Sequence, residues 1–185
     1  MEDDVLDRRR FLKENVQSLV KTFGFFVKEQ IEDTRKYIRP PGVVDEQSFL
    51  LICNRCGDCQ TACPQDIILL LGPKAGKHVG TPILNLYHNP CTLCMKCVEV
   101  CPTGALSPTP KEKVKLGVAK INPSRCFAWK GEQPCDYCKV FCPLEEKAVK
   151  IEDGKPFIIP ERCNGCGECK HYCVSGKDTI QIMVQ

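Results

Sequence analysis

The chain has 185 residues, of which 16 are cysteine, and its formal net charge is +3 at pH 7. Only 7% of the residues are aromatic, which excludes a large conventional core, and small domains that lack one need disulfides or metals. Acidic and basic residues are mixed along the chain, so the charge does not indicate nucleic-acid binding. A run of about 18 apolar residues, the signature of a transmembrane helix, is missing from the sequence.

Residues 1–45 begin like an export signal. DRRRFLK, with the pair Arg8 and Arg9, resembles the twin-arginine pattern. Export also requires an uncharged apolar stretch and small residues at a cleavage site, but Lys21 and Lys28 interrupt the apolar stretch and the segment has no alanine. We therefore expect a degenerate signal and a cytoplasmic protein, with twin-arginine export to the periplasm as the alternative.

The same segment predicts an amphipathic helix. Apolar residues recur at three- and four-residue steps and form one face, and Pro40-Pro41-Gly42 ends the pattern. The members of this face are Val16, Leu19, Val20, Phe23, Phe26, Val27 and Ile31. The face is expected to pack on the rest of the chain, or to dock on a partner or a membrane surface.

The cysteines form four groups of four, and none is left over. Three groups have the spacing C-x2-C-x2-C-x3-C, and the third group has C-x8-C-x2-C-x3-C. In chain order the groups are Cys53, Cys56, Cys59 and Cys63; Cys91, Cys94, Cys97 and Cys101; Cys126, Cys135, Cys138 and Cys142; Cys163, Cys166, Cys169 and Cys173. Because every cysteine belongs to a group, we predict that all of them are ligands of bound metal clusters.

The spacing also indicates which metal group is bound. Disulfide frameworks usually tie distant segments together, whereas thiols three residues apart can turn toward a common centre. Structural zinc sites generally use two C-x2-C pairs separated by a longer loop. Three cysteines at three-residue steps, followed by x3-C-P, instead match the bacterial ferredoxin pattern. We therefore predict four [4Fe–4S] clusters, in which the fourth cysteine of a motif ligates a different cluster from the first three.

Two motifs depart from this pattern. The third contains the insert FAWKGEQP, with Trp129, the only tryptophan, and the turn-forming pair Lys130-Gly131. This insert is either a surface loop or a cover that shields one cluster and shifts its potential. In the fourth motif Val174 stands where the other motifs have proline, but we still count Cys173 as a ligand.

Short strands are predicted around the motifs, at 66–71, 82–86, 118–121, 148–152, 157–159 and 179–184. VKIEDGKPFII predicts a hairpin that turns at Asp153-Gly154, and VAKI is expected to pair with TIQIMV.

The pattern predicts an α+β fold of two ferredoxin-like two-cluster units with little regular secondary structure, preceded by the amphipathic helix of residues 1–45. In the consecutive arrangement, 46–110 holds motifs one and two and 111–185 holds motifs three and four. A nested arrangement stays open, with motifs two and three as the inner unit and motifs one and four as the outer unit.

Residues 46–185 resemble the multi-cluster bacterial ferredoxins. The twin-arginine-like start, RPPG and the stretched third motif together resemble the NapG/MauM ferredoxin-type family. Those proteins are associated with periplasmic nitrate reduction or methylamine oxidation. The resemblance implies that the protein passes electrons between a quinol-oxidising membrane partner and a terminal oxidoreductase.

We predict an electron-transfer subunit that relays single electrons between redox protein partners, without catalytic residues of its own. Each cluster can have four thiolates, and no flavin, nucleotide or molybdenum motif is visible. Of the three histidines, His171 lies inside the fourth motif and is expected to face solvent. The alternative function is an iron–sulfur protein whose clusters are structural or sense the redox state.

Basic residues near the motifs have two interpretations. They either steer an acidic partner or are simply solvated surface. These residues are Arg55, Lys96, Lys139 and Lys170.

Overall fold

The computed structural model describes residues 35–184, so the predicted N-terminal helix lies outside the described residues. Within 35–184 the α-helices are α1 Glu46–Ile52, α2 Asp58–Thr61, α3 Lys96–Glu99, α4 Phe127–Lys130, α5 Tyr137–Val140 and α6 Glu168–His171. The strands are β1 Ile68–Leu70, β2 Pro82–Leu84, β3 Val118–Ile121, β4 Val149–Glu152, β5 Lys155–Ile158 and β6 Ile180–Met183. Two 3-10 helices, Pro73–His78 and Lys111–Lys113, lie between them. The fold is a small mixed helix and strand structure with little regular secondary structure.

The strands form three two-stranded antiparallel sheets: β1 with β2, β3 with β6, and β4 with β5. The hairpin predicted at Asp153-Gly154 is confirmed, because β4 and β5 pair directly across it. Both turn residues have positive φ, 48° and 73°, as a tight turn that matches the strand twist requires. The predicted pairing of VAKI with TIQIMV is also confirmed, with Val118 opposite Met183.

Two hydrophobic clusters form the interior, and motif cysteines belong to both. Phe49, Ile68 and Leu84 lie in the first cluster together with Cys59, Cys91 and Cys97. The second cluster combines Val149 and Ile180 with Cys138, Cys142 and Cys163. Few large side chains are available for either cluster, so groups bound by the cysteines have to supply part of the interior.

The RPPG segment runs along the first cysteine motifs. Leu84 N–H donates to the Ile38 carbonyl at 2.8 Å, and Ser107 N–H donates to the Gly42 carbonyl at 2.9 Å. Gly42 has φ +92°, and a Cβ added there would lie 2.6 Å from the Ser107 oxygen. Only glycine fits this position, because both its backbone conformation and the close approach of the chains exclude a side chain.

Arg39 of the same segment is fully buried. Its guanidinium pairs with the Glu46 carboxylate and donates to the Pro82 carbonyl at 2.8 Å and to Thr81 Oγ1 at 2.9 Å. His78 Nδ1 lies 3.0 Å from Arg39 Nη2. A buried charge needs such partners to offset its loss of hydration, so this network fixes the RPPG segment to the rest of the fold.

None of the helices in residues 35–184 is long and apolar enough to span a bilayer.

Candidate iron–sulfur ligand sets

The backbone of three motifs curls through left-handed residues. Residues with φ between 52° and 90° flank the second cysteine of the first, second and fourth motifs. They are Arg55 and Gly57, Leu93 and Met95, and Gly165 and Gly167. Arg55, Leu93 and Met95 hold a conformation that is unfavourable for residues with a side chain. In these three motifs the curl turns the first three thiols toward a common cavity.

A four-residue helix then carries the third cysteine of each motif. Cys59, Cys97, Cys138 and Cys169 lie on α2, α3, α5 and α6. The fourth cysteine follows about one helical turn later, after the helix has ended. The helix therefore separates the fourth thiol from the first three.

Two candidate ligand sets lie in the first half of the described chain. Set 1 is Cys53, Cys56 and Cys59 of motif one with Cys101 of motif two, and these residues line one cavity together with Phe49 and Leu106. Set 2 is Cys91, Cys94 and Cys97 of motif two with Cys63 of motif one, and these line another cavity with Ile68 and Leu84. Each motif thus contributes its fourth cysteine to the set of the other.

The second half of the described chain repeats this exchange. Set 4 is Cys163, Cys166 and Cys169 of motif four with Cys142 of motif three, around a cavity lined by Val149 and Ile182. Set 3 is Cys126, Cys135 and Cys138 of motif three with Cys173 of motif four. Burial raises the pKa of Cys138 to about 12, and the next causes are Cys135, Cys126 and Cys173. Twelve of the sixteen cysteines thus line three cavities, four to each cavity, and the other four are the candidate members of set 3.

The cavities of sets 1, 2 and 4 are alike in size and lining. Their volumes, including space open to solvent, are ≈ 320, ≈ 320 and ≈ 330 Å³. In residues 35–184 no three His, Cys, Asp or Glu groups converge on a site for a single metal ion, and the thiols are instead spread around the cavity walls. Four soft thiol donors around an apolar space are the donor chemistry of a [4Fe–4S] cluster, so the residues fit that group.

Burial makes the free thiols difficult to ionise. Loss of hydration raises the pKa of Cys97 and Cys166 to about 12, and that of Cys59 and Cys91 to about 11. Neighbouring cysteines of the same set raise these pKa values further, because their thiolates would repel one another. Four thiolates can share such an apolar space only when a cationic group compensates their charge.

Hydrogen bonds to sulfur distinguish some ligands from others. Ala119 N–H donates to Cys163 Sγ at 3.4 Å. Burial alone would raise the pKa of Cys101, but hydrogen bonds from Leu106 and Thr103 bring it below its usual value. Donors to the sulfur stabilise negative charge on the ligand, which is one of the means by which a protein sets the potential of a cluster.

The insert of the third motif packs on the β4–β5 hairpin. Its first residues form α4 directly after Cys126, and Gly131 ends the helix at φ 72°. Trp129 Nε1–H donates to the Pro156 carbonyl at 3.0 Å, and its ring meets the Phe157 ring edge-on at 5.0 Å. The first half of the insert is therefore an ordered helix next to Cys126, and residues 131–134 form an exposed turn.

His171, which was expected to face solvent rather than to bind metal, does not line the cavities of sets 1, 2 and 4. The His171 side chain is partly buried, and its Nδ1 lies 2.8 Å from the carbonyl of His88.

Two of the basic residues near the motifs have contacts within the chain. Arg55 Nε donates to the Val79 carbonyl at 2.9 Å, and Lys170 Nζ lies 5.3 Å from the centre of the Tyr87 ring. These contacts orient the side chains along the protein surface.

Comparison with known proteins agrees with this chemistry. The profile of the 4Fe-4S dicluster domain matches residues 52–105 and 90–145, and that of a 4Fe-4S binding domain matches 160–174. The methylamine utilization ferredoxin-type protein MauM of Methylorubrum extorquens is 34% identical over 171 residues, which cover 85% of this chain and 77% of that protein. The ferredoxin-type protein NapG of Escherichia coli is 31% identical over 197 residues, covering 95% of this chain and 85% of that protein.

The chain belongs to the NapG/MauM ferredoxin-type family. It is an electron-transfer iron–sulfur protein, and its sixteen cysteines, together with the matched domains, support four [4Fe–4S] clusters. The family resemblance inferred from the motifs is thereby confirmed.

The two dicluster matches overlap at the second motif of this NapG/MauM-type chain. The match over 52–105 corresponds to the first consecutive unit, while the match over 90–145 spans motifs two and three, the inner pair of the nested arrangement. Motif two cannot exchange its fourth cysteine with both neighbours. In the structure Cys101 lines a cavity with the thiols of motif one, and Cys63 lines a cavity with the thiols of motif two.

The network around Arg39 could not be predicted from the sequence. Its members Glu46, His78 and Thr81 lie 7, 39 and 42 residues from Arg39, and no local pattern links them. RPPG is the local signal nearest to this network, and by itself it predicts the end of a helix.

Proposed function

We propose that the protein is a relay of four [4Fe–4S] clusters built as two consecutive ferredoxin-like units, 46–110 and 111–185. The observation that carries this proposal is the exchange of fourth cysteines. Cys63 lies with the thiols of motif two and Cys101 with those of motif one. Cys142 lies with motif four, and the thiol of Cys138 in motif three is influenced by Cys173. In this scheme all sixteen cysteines are ligands, and each bound cluster would take up and release one electron.

A carrier role is favoured over catalysis by the ligand count. Each set offers four thiols, which leaves no iron free for a substrate. The cavities that the sets line are walled by apolar side chains such as Ile68 and Val149. We therefore propose that the chain is a non-enzymatic subunit and that chemistry takes place on its partners.

The partners are proposed from the family. The name of one relative refers to methylamine utilization, and the family resemblance points to a membrane-bound quinol dehydrogenase as the donor and an oxidoreductase as the acceptor. We propose redox proteins of this kind on the two sides of the relay, in the cytoplasm or associated with the membrane, and in the periplasm if the twin-arginine-like start is functional.

The first experiment is to measure iron and acid-labile sulfide on anaerobically purified full-length protein. Four cubanes would give about 16 irons and about 16 sulfides per chain. A reductive titration followed by electron paramagnetic resonance should then resolve several one-electron steps. About four zinc ions without sulfide would contradict the proposal, and a full iron content without any reducible cluster would favour the structural or sensing alternative.

A further inference from the structure

The two proposed ferredoxin units meet along one junction. Residues 86–91, which lead into motif two, lie against residues 164–171, which form most of motif four. At the centre Cys91 N–H donates to the carbonyl of Cys166 at 2.8 Å. Cys91 belongs to set 2 and Cys166 to set 4, so a direct backbone hydrogen bond links ligand residues of different units.

Two glycines of motif four lie close to neighbouring segments, Gly165 to the start of the second unit and Gly167 to the first unit. A Cβ added to Gly165 would lie 2.5 Å from the backbone of Gly117, so a side chain there would push the two segments apart. A Cβ added to Gly167 would be in van der Waals contact with Leu86, 3.5 Å from its Cβ. Motif four therefore lies against its neighbours with no room for an intervening side chain at Gly165.

The segment that contains Lys115 and Leu116, at the start of the second unit, also holds motif four at this junction. Leu116 is buried in the first hydrophobic cluster, while its N–H donates to the Asn164 carbonyl of motif four at 2.9 Å. Lys115 Nζ donates to the carbonyl of Cys163 at 3.0 Å. The segment that begins the second unit is thus anchored in the interior of the first.

Side chains hold the outer edge of the junction. His171 Nδ1 lies 2.8 Å from the His88 carbonyl. The Tyr87 ring has the ammonium groups of Lys170 and Lys177 at 5.3 and 5.8 Å from its centre, which are favourable cation–π distances. The contacts join residues 83 to 90 positions apart in the chain and restrict rotation of one unit against the other.

We propose that electrons cross between the units at the Cys91–Cys166 contact, so that the ligand sets are used in the spatial order 1, 2, 4, 3. The proposal rests on the proposed function and adds the internal route. In each crossing one electron leaves one unit and enters the other, with no bond formed or broken and no proton transferred. Sets 1 and 3 are then the terminal sets, which exchange electrons with the two redox protein partners.

Contacts within each unit support the outer steps of this order. Helix α2, which carries Cys59 of set 1, packs against α3, which carries Cys97 of set 2. In the same way α5, which carries Cys138 of set 3, packs against α6, which carries Cys169 of set 4. The chain order of the motifs would have placed set 3 next to set 2, whereas the junction brings set 4 there.

The unmodified protein provides the first test. In fully reduced, cluster-loaded protein we expect magnetic interactions within both units and an additional interaction between the units, detected by paramagnetic resonance. A spectrum that is the sum of two isolated pairs would overturn the proposal. In that outcome the four one-electron steps would still be present, so the proposed function would survive the failure of the route.

The second test loosens the junction without touching a ligand. The double variant Tyr87→Ala/His171→Ala removes the side-chain contacts, and Tyr137→Ala is the matched control because Tyr137 is as exposed as Tyr87, 45%. After photochemical injection of one electron, we expect the double variant to equilibrate electrons between the units several-fold more slowly and to show a weaker interaction between units. The interactions within units and the iron content should not change.

The Tyr137→Ala control should keep the electron-transfer rate and the paramagnetic resonance spectrum of the unmodified protein. Hydrogen exchange shows whether the Cys91 amide of the double variant has lost its protection. If it has, and the double variant still has the electron-transfer rate and the spectrum of the unmodified protein, the junction is not the route. If the double variant fails to fold, the spectrum of the unmodified protein decides between the coupled order and two isolated pairs.

Discussion

Arg39 and Glu46 form a buried ion pair directly behind the first ligand set. Arg39 Nε lies 3.0 and 3.1 Å from the two carboxylate oxygens of Glu46. The guanidinium also lies 4.9 Å from the centre of the Phe49 ring, and Phe49 lines the cavity of set 1. A charged network thus supports one wall of the cavity through a single aromatic side chain.

Replacing Arg39 should destabilise the first unit strongly. Arg39→Met leaves the Glu46 carboxylate buried without its partner, which typically costs about 3–5 kcal/mol. We expect the visible absorbance of the clusters to be lost at a lower denaturant concentration under anaerobic conditions. The double variant Arg39→Met/Glu46→Leu should recover much of the loss, because it leaves no unpaired charge.

An exposed ion pair serves as the control for this prediction. Arg125 and Asp178 lie 3.4 Å apart with 57% and 62% of their side chains exposed. Arg125→Met should change the stability by less than about 1 kcal/mol, because solvent screens the interaction. Equal effects of Arg39→Met and Arg125→Met would show that the buried network does not contribute.

Replacing Cys101 should distinguish the consecutive from the nested arrangement. In the consecutive arrangement Cys101 serves set 1, so Cys101→Ala and Cys56→Ala should alter the same one-electron step. In the nested arrangement Cys101 would serve motif three, and its variant should match Cys135→Ala instead. The measurement is a redox titration followed by paramagnetic resonance for each of the three variants, and a match with Cys135→Ala would refute the consecutive arrangement.

Removing Trp129 should expose the neighbourhood of set 3. Trp129→Ala loses the hydrogen bond to Pro156 and the contact with Phe157, and water should approach the ligand Cys126. Because water stabilises the additional negative charge of a reduced cluster, we expect one midpoint potential to rise while the others stay in place.

Trp129→Phe is the matched variant for this test. It keeps an aromatic ring against Phe157 but loses the Nε1–H donor, at a cost of about 1 kcal/mol. If the potentials of Trp129→Ala equal those of the unmodified protein, the insert is only a structural contact and does not shield a cluster.

The twin-arginine-like start can be tested by location. We expect the variant Arg8→Lys/Arg9→Lys to distribute between cell fractions as the unmodified protein does, because Lys21 and Lys28 interrupt the apolar stretch that export requires. The measurement is immunodetection in cytoplasmic, membrane and periplasmic fractions. Loss of a periplasmic pool in the variant would show that the signal is functional.

Much of the ligand chemistry could be predicted from the sequence, because it is local. Three thiols within seven residues, as from Cys53 to Cys59, need only a curled loop to face one centre, and this spacing is specific for iron–sulfur clusters. The hairpin at Asp153-Gly154 is local in the same sense, since two turn residues bring adjacent strands together. The six strands were likewise predicted close to their observed positions.

Tertiary structure decided which distant residues meet. The location of Cys101 with motif one depends on the packing of the first hydrophobic cluster, and the Arg39 network joins residues that no sequence period connects. The contact between Cys91 and Cys166 is supported by Leu116, which is buried in the first hydrophobic cluster while its N–H donates to the Asn164 carbonyl of motif four. The sequence by itself determined what the protein binds, because ligand spacing is a local property; the order in which the ligand sets adjoin depends on long-range packing, which no short motif encodes.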